Sequence, residues 1–254
     1  MWGSIIGDLA GSVYEFSQVK EVTPVVVDEL IREDSFYSDD TILMVAIVDA
    51  ILNDRDYNKY LRQYGLEFID YKPNVSPYFK TSFSPGFIKW LKGNEEGLSM
   101  GNGAMMRIAP VGYLFDDLDT VREESKKATI PSHNNSDSIK CAQVVASIIY
   151  LARSGHSKEE IIELLDLDIS FKPFSNFNYT CSDTIGNCLY ALFTTDSFEN
   201  ALREVISYGG DTDTNACIVG GMAEAFYGVD QSLVDKAKEK VPERFVKVLE
   251  KAYK

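Results

Sequence analysis

The sequence has no long apolar run, few histidines and no closely spaced cysteine pair. None of its stretches reaches the 18 consecutive apolar residues that a membrane-spanning helix requires. The opening residues, Met1-Trp2-Gly3-Ser4, carry no basic side chain, and Asp8 interrupts the apolar segment that follows, so we expect no secretory signal peptide. From these absences we expect a cytoplasmic protein that does not associate with a membrane.

The cysteines and histidines exclude several kinds of site. No Cys-x-x-Cys pair occurs, so we predict buried free thiols in a reducing compartment rather than a disulfide framework. The four cysteines are Cys141, Cys181, Cys188 and Cys217. Two histidines, His133 and His156, are too few for a zinc cluster. Because no Gly-x-Ser-x-Gly stretch is present, a serine hydrolase of the nucleophile-elbow type is also unsupported.

The charge balance is strongly acidic. The 254 residues carry a formal net charge of −14, with 45% hydrophobic and 25% charged residues, which is typical of a globular protein. A general nucleic-acid-binding surface needs clustered lysine and arginine, so we expect none. An acidic protein can still bind a small phosphorylated ligand through metal ions and backbone N–H groups.

Helical patterns dominate the chain. Apolar residues recur at helical spacing from 5 to 13, and the segments 41–53 and 141–153 are apolar enough to predict buried helices. Ser157-Lys158-Glu159-Glu160 is a capping box, and 241–253 is amphipathic. Strand signals are weak, because Pro24 interrupts 22–27. Loops are predicted near 17–38, 71–84, 93–101, 129–134, 166–181 and 208–212. Without repeats or linkers, residues 1–254 predict one all-α domain.

Two short motifs place paired carboxylates beside hydroxyls, each directly before an apolar helical segment. They are Ser38-Asp39-Asp40-Thr41 and Gly209-Gly210-Asp211-Thr212-Asp213-Thr214-Asn215. Each is compatible with a helix N-cap, but capping does not require so many oxygens within four residues. If the fold unites the motifs, four carboxylates repel one another unless cations lie between them. Hard divalent cations favour oxygen ligands, so the pair of motifs predicts a divalent metal site.

Two other interpretations of the second motif fail on its neighbours. An EF-hand loop that begins at Asp211 needs glycine at 216 and glutamate at 222, where the chain has Ala216 and Met222. An aspartyl-phosphatase motif follows a hydrophobic strand, whereas Tyr208-Gly209-Gly210 precedes Asp211.

Three further motifs are candidates to complete a site. Asp8 and Glu15 are seven positions apart and can share a helix face, so Glu15 is either a general base or a surface glutamate. Gly101-Asn102-Gly103-Ala104-Met105-Met106-Arg107 opens a predicted helix, and its glycines let backbone N–H groups approach an anion. Ser132-His133-Asn134-Asn135-Ser136 predicts a polar turn, where His133 binds a ligand or caps the next helix.

In this order, the motifs resemble those of the ADP-ribosylglycohydrolase family, which includes the dinitrogenase-reductase-activating glycohydrolases. The resemblance runs from residue 3 to about residue 228. It implies a single-domain orthogonal helical bundle with a dinuclear centre of two Mg²⁺, or of Mn²⁺. The partner that it implies is an ADP-ribosylated protein or a small ADP-ribose conjugate, and we expect a monomer.

The resemblance also implies roles for individual residues. Metal binding falls on Ser38, Asp39, Asp40, Asp211, Asp213 and Thr214. Members of the family often have threonine where Ser38 stands, and serine keeps the hydroxyl. Glu15 is implied to lie on the substrate-facing side of the metals, with Asp211 as its rival for the carboxylate that assists water. ADP-ribose contacts fall on Gly101, Asn102, Gly103, Ala104 and His133.

Alternatives to a glycohydrolase stay open at this point. One is a non-catalytic member that binds ADP-ribose or serves structurally, and the other is a metal-dependent nucleotide phosphohydrolase. The linkage is open as well, since arginine, serine, a nucleobase, a small guanidine or O-acetyl-ADP-ribose would each fit. Target selection is expected in segments 17–37 and 71–98, although core packing is favoured for most of their aromatic residues. The aromatic candidates are Tyr14, Phe16, Tyr78, Phe79, Phe83 and Trp90.

Overall fold

The computed structural model describes residues 1–73, 81–93 and 97–253, which form an all-α array. The helices of the first half are α1 (Trp2–Gln18), α2 (Asp39–Leu52), α3 (Tyr57–Glu67), α4 (Pro85–Lys92), α5 (Gly103–Met106), α6 (Ala109–Leu114) and α7 (Leu118–His133). Those of the second half are α8 (Ser136–Arg153), α9 (Lys158–Leu165), α10 (Cys181–Thr194), α11 (Phe198–Ser207), α12 (Thr212–Tyr227), α13 (Gln231–Lys240) and α14 (Glu243–Ala252). Extended backbone in the described ranges pairs at two isolated antiparallel bridges, Leu98 with His133 and Gly101 with Thr180, and forms no sheet.

Helix α2 lies in the centre of the core, as its apolar sequence predicts, and α8 buries its apolar face against the same core. In α2, every residue from Ile42 to Val48 is at most 1% exposed. A helix that is apolar on all sides is buried on all sides. Its polar first turn is consequently held inside the protein as well, and this places the first acidic motif in the interior.

Helices α1 and α12 approach so closely that small residues are required where they touch. Gly3, Gly7 and Gly11 recur at intervals of four and therefore share one face of α1. A Cβ added to Gly7 would lie 2.0 Å from the carbonyl oxygen of Ala216, and one added to Gly11 would lie 2.2 Å from that of Thr212. Real Cβ atoms do not approach this closely, so the two backbones are in direct contact. The glycine face fixes the position of α1 along α12.

One loop prediction is wrong. Residues 129–133 are not a loop, because α7 continues through Pro131 and ends at His133. Proline favours the end of a helix, but Ala128, Thr129 and Ser132 are buried here, and their packing outweighs the local preference. The turn between α7 and α8 is confined to Asn134 and Asn135. His133 therefore belongs to a helix rather than to a polar turn.

The helix predicted to open at Gly101 is a single turn. It comprises only Gly103–Met106, whereas α7, which follows it after α6, has 16 residues. A four-residue turn has little macrodipole, so the favourable field expected for an anion at this point is weak. Contacts with a ligand here would have to come from individual N–H groups and side chains.

Two other predictions concern single features. The four cysteines are buried and free, as predicted. Within the described residues, no helix combines the length and the apolar character needed to cross a membrane.

We predict that Gly7→Ala strongly destabilises the protein, because the added methyl group meets backbone atoms of α12 that cannot move alone. Overpacking costs about 1–3 kcal/mol in typical cores, and we expect at least the upper end of that range here. Thermal unfolding followed by circular dichroism measures the loss. The matched control is Gly186→Ala in α10, where nothing lies within 4 Å of the added Cβ. It should keep or slightly raise the melting temperature, and equal melting temperatures for both variants would contradict the close contact.

Candidate active site

The two acidic motifs, which lie far apart in the chain, meet at the first turns of two helices. The first motif begins α2 and the second begins α12. The Thr214 hydroxyl donates to Oδ2 of Asp40 at 3.3 Å, so a hydrogen bond joins the motifs directly. Helix α1, packed along α12, adds Asp8 and Glu15 to the same region. The fold therefore unites the motifs, as the metal-site prediction requires.

The carboxylates form two groups of three that share one member. Asp8, Asp40 and Asp213 each have an oxygen within 4.8 Å of the other two. Glu15, Asp211 and Asp213 form a second group that meets the same criterion. Because Asp213 belongs to both, two cation positions would lie side by side. A shared carboxylate of this kind is suited to a two-metal centre.

Asp8 is completely buried and holds the beginning of α2. Its Oδ2 accepts hydrogen bonds from the backbone N–H of Ser38 at 2.9 Å, from that of Thr41 at 3.1 Å, and from the Thr41 hydroxyl. The first N–H groups of a helix have no hydrogen-bond acceptor within the helix, and the Asp8 carboxylate provides one. One oxygen of Asp8 thus has a structural role.

The other oxygen of Asp8 has no such role. Asp8 Oδ1 and Asp40 Oδ1 are both buried, and neither has a hydrogen-bond partner in the described part of the chain. An unpartnered buried carboxylate oxygen is costly, because the group has lost its water without gaining a donor. A hard cation between these oxygens would compensate them.

Ser38 caps α2, which confirms the capping interpretation for this residue. Its hydroxyl accepts from the backbone N–H of Asp40 at 3.2 Å and donates to Oδ2 of Asp40 at 3.0 Å. Capping leaves Asp40 Oδ1 unused. The adjacent Asp39 is half-buried. Burial is the main cause that raises the pKa of Asp39, and the nearby charge of Asp213 raises it further, so Asp39 belongs to the same cluster of carboxylates.

The second motif owes its shape to two consecutive glycines. Gly209 and Gly210 have φ values of 72° and 74°, the left-handed conformation that favours glycine. The turn brings the backbone N–H of Asp211 to Oδ1 of Asn178 at 2.9 Å, and Asn102 Nδ2 donates to Oδ2 of Asp211 at 2.7 Å. The Asp211 side chain makes no capping hydrogen bond to α12. Capping therefore does not account for this carboxylate.

Burial and mutual repulsion raise the pKa values of the cluster. Burial is the larger cause for Asp8, followed by the charge of Asp213, and together they raise its pKa to about 7. Burial raises the pKa of Asp211 to about 6, and the pKa values of Asp40 and Asp213 lie well above the ordinary range. Carboxyls of this kind either hold protons near neutral pH or lie beside positive charge.

Glu15 differs from the other members of the two groups in its exposure. It is half-buried, whereas Asp211 is 7% exposed and Asp213 is 3% exposed. Burial raises the pKa of Glu15 well above its ordinary value, and the charges of Asp213 and Asp211 add to this effect. Glu15 is therefore the least buried residue of the two carboxylate groups.

The glycine loop predicted to contact ADP-ribose borders the second carboxylate group. Asn102 joins them through its bond to Asp211. A Cβ added to Gly103 would lie 3.5 Å from Nε2 of His133, so the histidine ring stands beside the loop. Ala104 is completely buried in the core. The fold thus brings Gly101, Asn102, Gly103 and His133 together next to the acidic cluster.

Sequence reasoning missed two residues of the site. It placed Asp8 on the face of Glu15 but gave it no part in the metal site, although a charged residue inside an apolar helical pattern is a usable signal. It did not single out Asn178, which holds the turn at Asp211 and donates to Oδ1 of Asn215 at 2.8 Å. Asn178 lies in an irregular segment, where no periodicity marks a buried side chain.

The aromatic candidates for target selection divide into three kinds. Phe83 is 3% exposed and Trp90 is 8% exposed, so both belong to the core, as the favoured interpretation holds. Tyr14 and Phe16 are half-buried and flank Glu15 in the sequence of α1. Tyr78 and Phe79 lie outside the described residues.

This chain is similar to known proteins of the ADP-ribosylglycohydrolase type. The ADP-ribosylglycohydrolase profile matches residues 1–253. The ADP-ribosylhydrolase ARH3 of Bos taurus is 23% identical over 310 residues, covering 90% of this chain and 84% of that protein. The ADP-ribosyl-(dinitrogen reductase) glycohydrolase of Rhodospirillum rubrum is 30% identical over 139 residues, covering 51% of this chain and 47% of that protein.

A solved structure agrees at the level of the fold. The structure of an ADP-ribosylglycohydrolase-related protein complex superposes with a TM-score of 0.68 at 18% identity, covering 97% of this chain and 89% of that one. The all-α fold predicted from the sequence is thereby confirmed. With a family profile that spans residues 1–253, the chain belongs to the ADP-ribosylglycohydrolase family.

Proposed function

We propose that this protein is a metal-dependent hydrolase that cleaves the N- or O-glycosidic bond between ADP-ribose and a protein side chain or a small molecule. The observation that carries the proposal is the pair of carboxylate groups that share Asp213. Membership of the family supports the ADP-ribosyl part of the substrate. The names of the relatives, an ADP-ribosylhydrolase and a glycohydrolase of ADP-ribosylated dinitrogen reductase, support hydrolysis as the reaction.

The donors present fit two hard divalent cations, Mg²⁺ or Mn²⁺. All of the candidate ligand atoms are oxygens, and the unpartnered Oδ1 atoms of Asp8 and Asp40 are buried where a cation would compensate them. We assign Asp8 to the metal site in addition to the ligands that the family resemblance implies. Those are Ser38, Asp39, Asp40, Asp211, Asp213 and Thr214. Bound cations would orient the sugar hydroxyls and stabilise charge that develops during cleavage.

Glu15 is the better candidate for the general base. Glu15 is the least buried residue of the group that contains Asp211 and Asp213. Asp211 is more buried, and one of its oxygens already accepts the hydrogen bond from Asn102. A base must reach the proton of the attacking water, so Glu15 takes that proton in this proposal.

The glycine loop leaves few backbone groups for a diphosphate. The N–H of Asn102 donates to the carbonyl of Tyr179 at 2.9 Å, and the N–H of Gly101 donates to the Ser99 hydroxyl at 3.1 Å. Both donors are therefore occupied. Gly103 and the His133 ring beside it are the parts of this loop region that we assign to direct contact with ADP-ribose.

The direct test is calorimetric titration of ADP-ribose in magnesium and in EDTA, followed by product analysis with ADP-ribosylated arginine, ADP-ribosylated serine and O-acetyl-ADP-ribose. We expect binding that requires magnesium, and release of intact ADP-ribose from at least one conjugate. Release of phosphate instead would favour a nucleotide phosphohydrolase. Binding without turnover of any conjugate would favour a non-catalytic member of the family.

Magnesium is expected to stabilise the protein more at pH 8 than at pH 5.5. The pKa values of Asp8 and Asp211 are raised in the folded state to about 7 and about 6, so the folded state binds protons more tightly than the unfolded chain. In EDTA, the free energy of unfolding should therefore fall as the pH rises from about 4 to about 8, as these protons are lost. Magnesium ions should take the place of the lost protons. They should therefore raise the melting temperature most at the pH where the free energy of unfolding in EDTA has fallen most.

The matched pair for this measurement is Asp213→Asn and Asp235→Asn. Asp213 is buried in both carboxylate groups, whereas Asp235 is exposed on α13. Asp213→Asn should abolish the magnesium-dependent rise in melting temperature and should flatten the pH dependence in EDTA. Asp235→Asn should behave as the wild type, and an unchanged magnesium response in Asp213→Asn would rule out the shared site.

Glu15→Gln is expected to keep ADP-ribose binding, and to keep metal binding through Asp211, Asp213 and the glutamine amide oxygen. It should lower kcat by about 10²–10⁴-fold, the usual contribution of a general base. Glutamine has nearly the same shape but cannot take the proton from water. Glu239→Gln, an exposed position on α13, is the control and should retain full turnover. If Glu15→Gln turns over at the wild-type rate with its metals bound, Asp211 becomes the candidate base.

A further inference from the structure

A buried chain of hydrogen bonds leads from Arg107 to the glycine loop. Arg107 Nη2 donates to the Ser132 hydroxyl oxygen at 2.7 Å, and that oxygen lies 2.8 Å from Nδ1 of His133. The three residues are 0%, 2% and 4% exposed. The function proposed above assigns no part to Arg107 or Ser132.

The donors and acceptors of this chain determine where the histidine proton lies. A guanidinium can only donate, so Ser132 Oγ is an acceptor toward Arg107. The Ser132 hydroxyl then has its own proton to donate, and in the described part of the chain the acceptor within reach is Nδ1 of His133. An Nδ1–H on the histidine would direct a second donor at the same hydroxyl and leave the serine proton without an acceptor. Nδ1 is therefore unprotonated, and the ring proton lies on Nε2.

Arg107 also keeps the ring neutral. Its remaining hydrogen bond is from Nη2 to the carbonyl of Ala128 at 3.3 Å, and its Nε and Nη1 have no partners among the described residues. No carboxylate of the described residues lies within ion-pair distance to compensate this guanidinium. Burial lowers the pKa of His133 well below its ordinary value, and the charge of Arg107 lowers it further. A neutral imidazole with its proton on Nε2 is the result.

The Nε2 atom faces the glycine loop. A Cβ added to Gly103 would lie 3.5 Å from it, and one added to Gly101 would lie 3.7 Å away. In residues 1–73, 81–93 and 97–253, the His133 ring forms its hydrogen bond through Nδ1, and none is found at Nε2. Its N–H is therefore available to an acceptor that binds beside Gly101 and Gly103.

We propose that Arg107 and Ser132 are positioning residues, which hold His133 as the neutral Nε2–H tautomer so that it donates to an acceptor oxygen of the ligand over Gly101 and Gly103. The identity of that ligand as ADP-ribose rests on the proposed function, whereas the tautomer does not. Neither Arg107 nor Ser132 touches the ligand. Both act through the histidine ring.

The first test is the nitrogen NMR spectrum of ¹⁵N-histidine-labelled protein without ligand. The chain has only two histidines, and His133→Ala identifies the signals of His133 by their loss. At pH 7 we expect a protonated Nε2 and an unprotonated Nδ1. A charged ring, or a proton on Nδ1, would overturn the inference.

Ser132→Ala and Ser125→Ala form a matched pair for the positioning role. Both serines are buried in α7, but the Ser125 hydroxyl bonds to the carbonyl of Val121 and not to a histidine. Ser132→Ala should shift the His133 spectrum toward a mixture of tautomers. Ser125→Ala should leave the spectrum unchanged, and identical spectra for both variants would contradict the role of Ser132.

Binding of ADP-ribose in magnesium supplies the second readout. Ser132→Ala should weaken it by about 5–10-fold, the effect of losing one well-positioned hydrogen bond, with metal affinity unchanged. In a His133→Ala background the same serine change should have no further effect, because it acts through the ring. Additive losses would overturn the positioning role. Absence of ADP-ribose binding to the wild type would overturn the proposed function, while the tautomer measurement still decides this inference.

Discussion

The direct contact between the backbones of α1 and α12 is the constraint on which the candidate site depends. The two helices touch because Gly7 and Gly11 present no side chain to Ala216 and Thr212. Asp8 follows Gly7 in the sequence, and Asp213 follows Thr212, so each carboxylate stands next to the line of contact. A larger residue on the glycine face would separate the helices, and the oxygens that now lie within 4.8 Å of one another would separate with them.

Placing these carboxylates together is electrostatically unfavourable, and the structure offsets part of the cost in two ways. The carboxylates of the two motifs lie at the first turns of α2 and α12, where the helix dipole favours negative charge. Hydrogen bonds from backbone N–H groups and from Asn102 satisfy one oxygen each of Asp8 and Asp211. The remaining cost appears as raised pKa values and as unpartnered oxygens, and it is what bound cations would remove. The excess negative charge of the cluster is therefore what the proposed cations would neutralise.

The sequence predicted the helices and the acidic motifs well, because both follow from local patterns. Apolar runs identified α2 and α8, and the serine before Asp39 caps α2, one of the two roles with which its motif is compatible. What it could not predict depends on contacts between distant residues. Pro131 locally favours a helix end, but the packing of α7 keeps it helical. Asn178 has no pattern around it, and its role arises only because the turn at Gly210 lies against it.

Arg107 connects the two halves of the site electrostatically. The acidic half carries excess negative charge, whereas the half that contains the glycine loop presents a neutral histidine. The buried Arg107 charge lowers the pKa of His133, and it also acts to lower that of Asp39, although burial and the charges of Asp213 and Asp8 outweigh it there. If a carboxylate were paired with this guanidinium, it would cancel most of the electrostatic effect of Arg107 on His133 and on Asp39. Arg107 has no such partner among the described residues. Its positive charge therefore favours an ionised Asp39, which can bind cations, and a neutral His133, which can donate to the ligand.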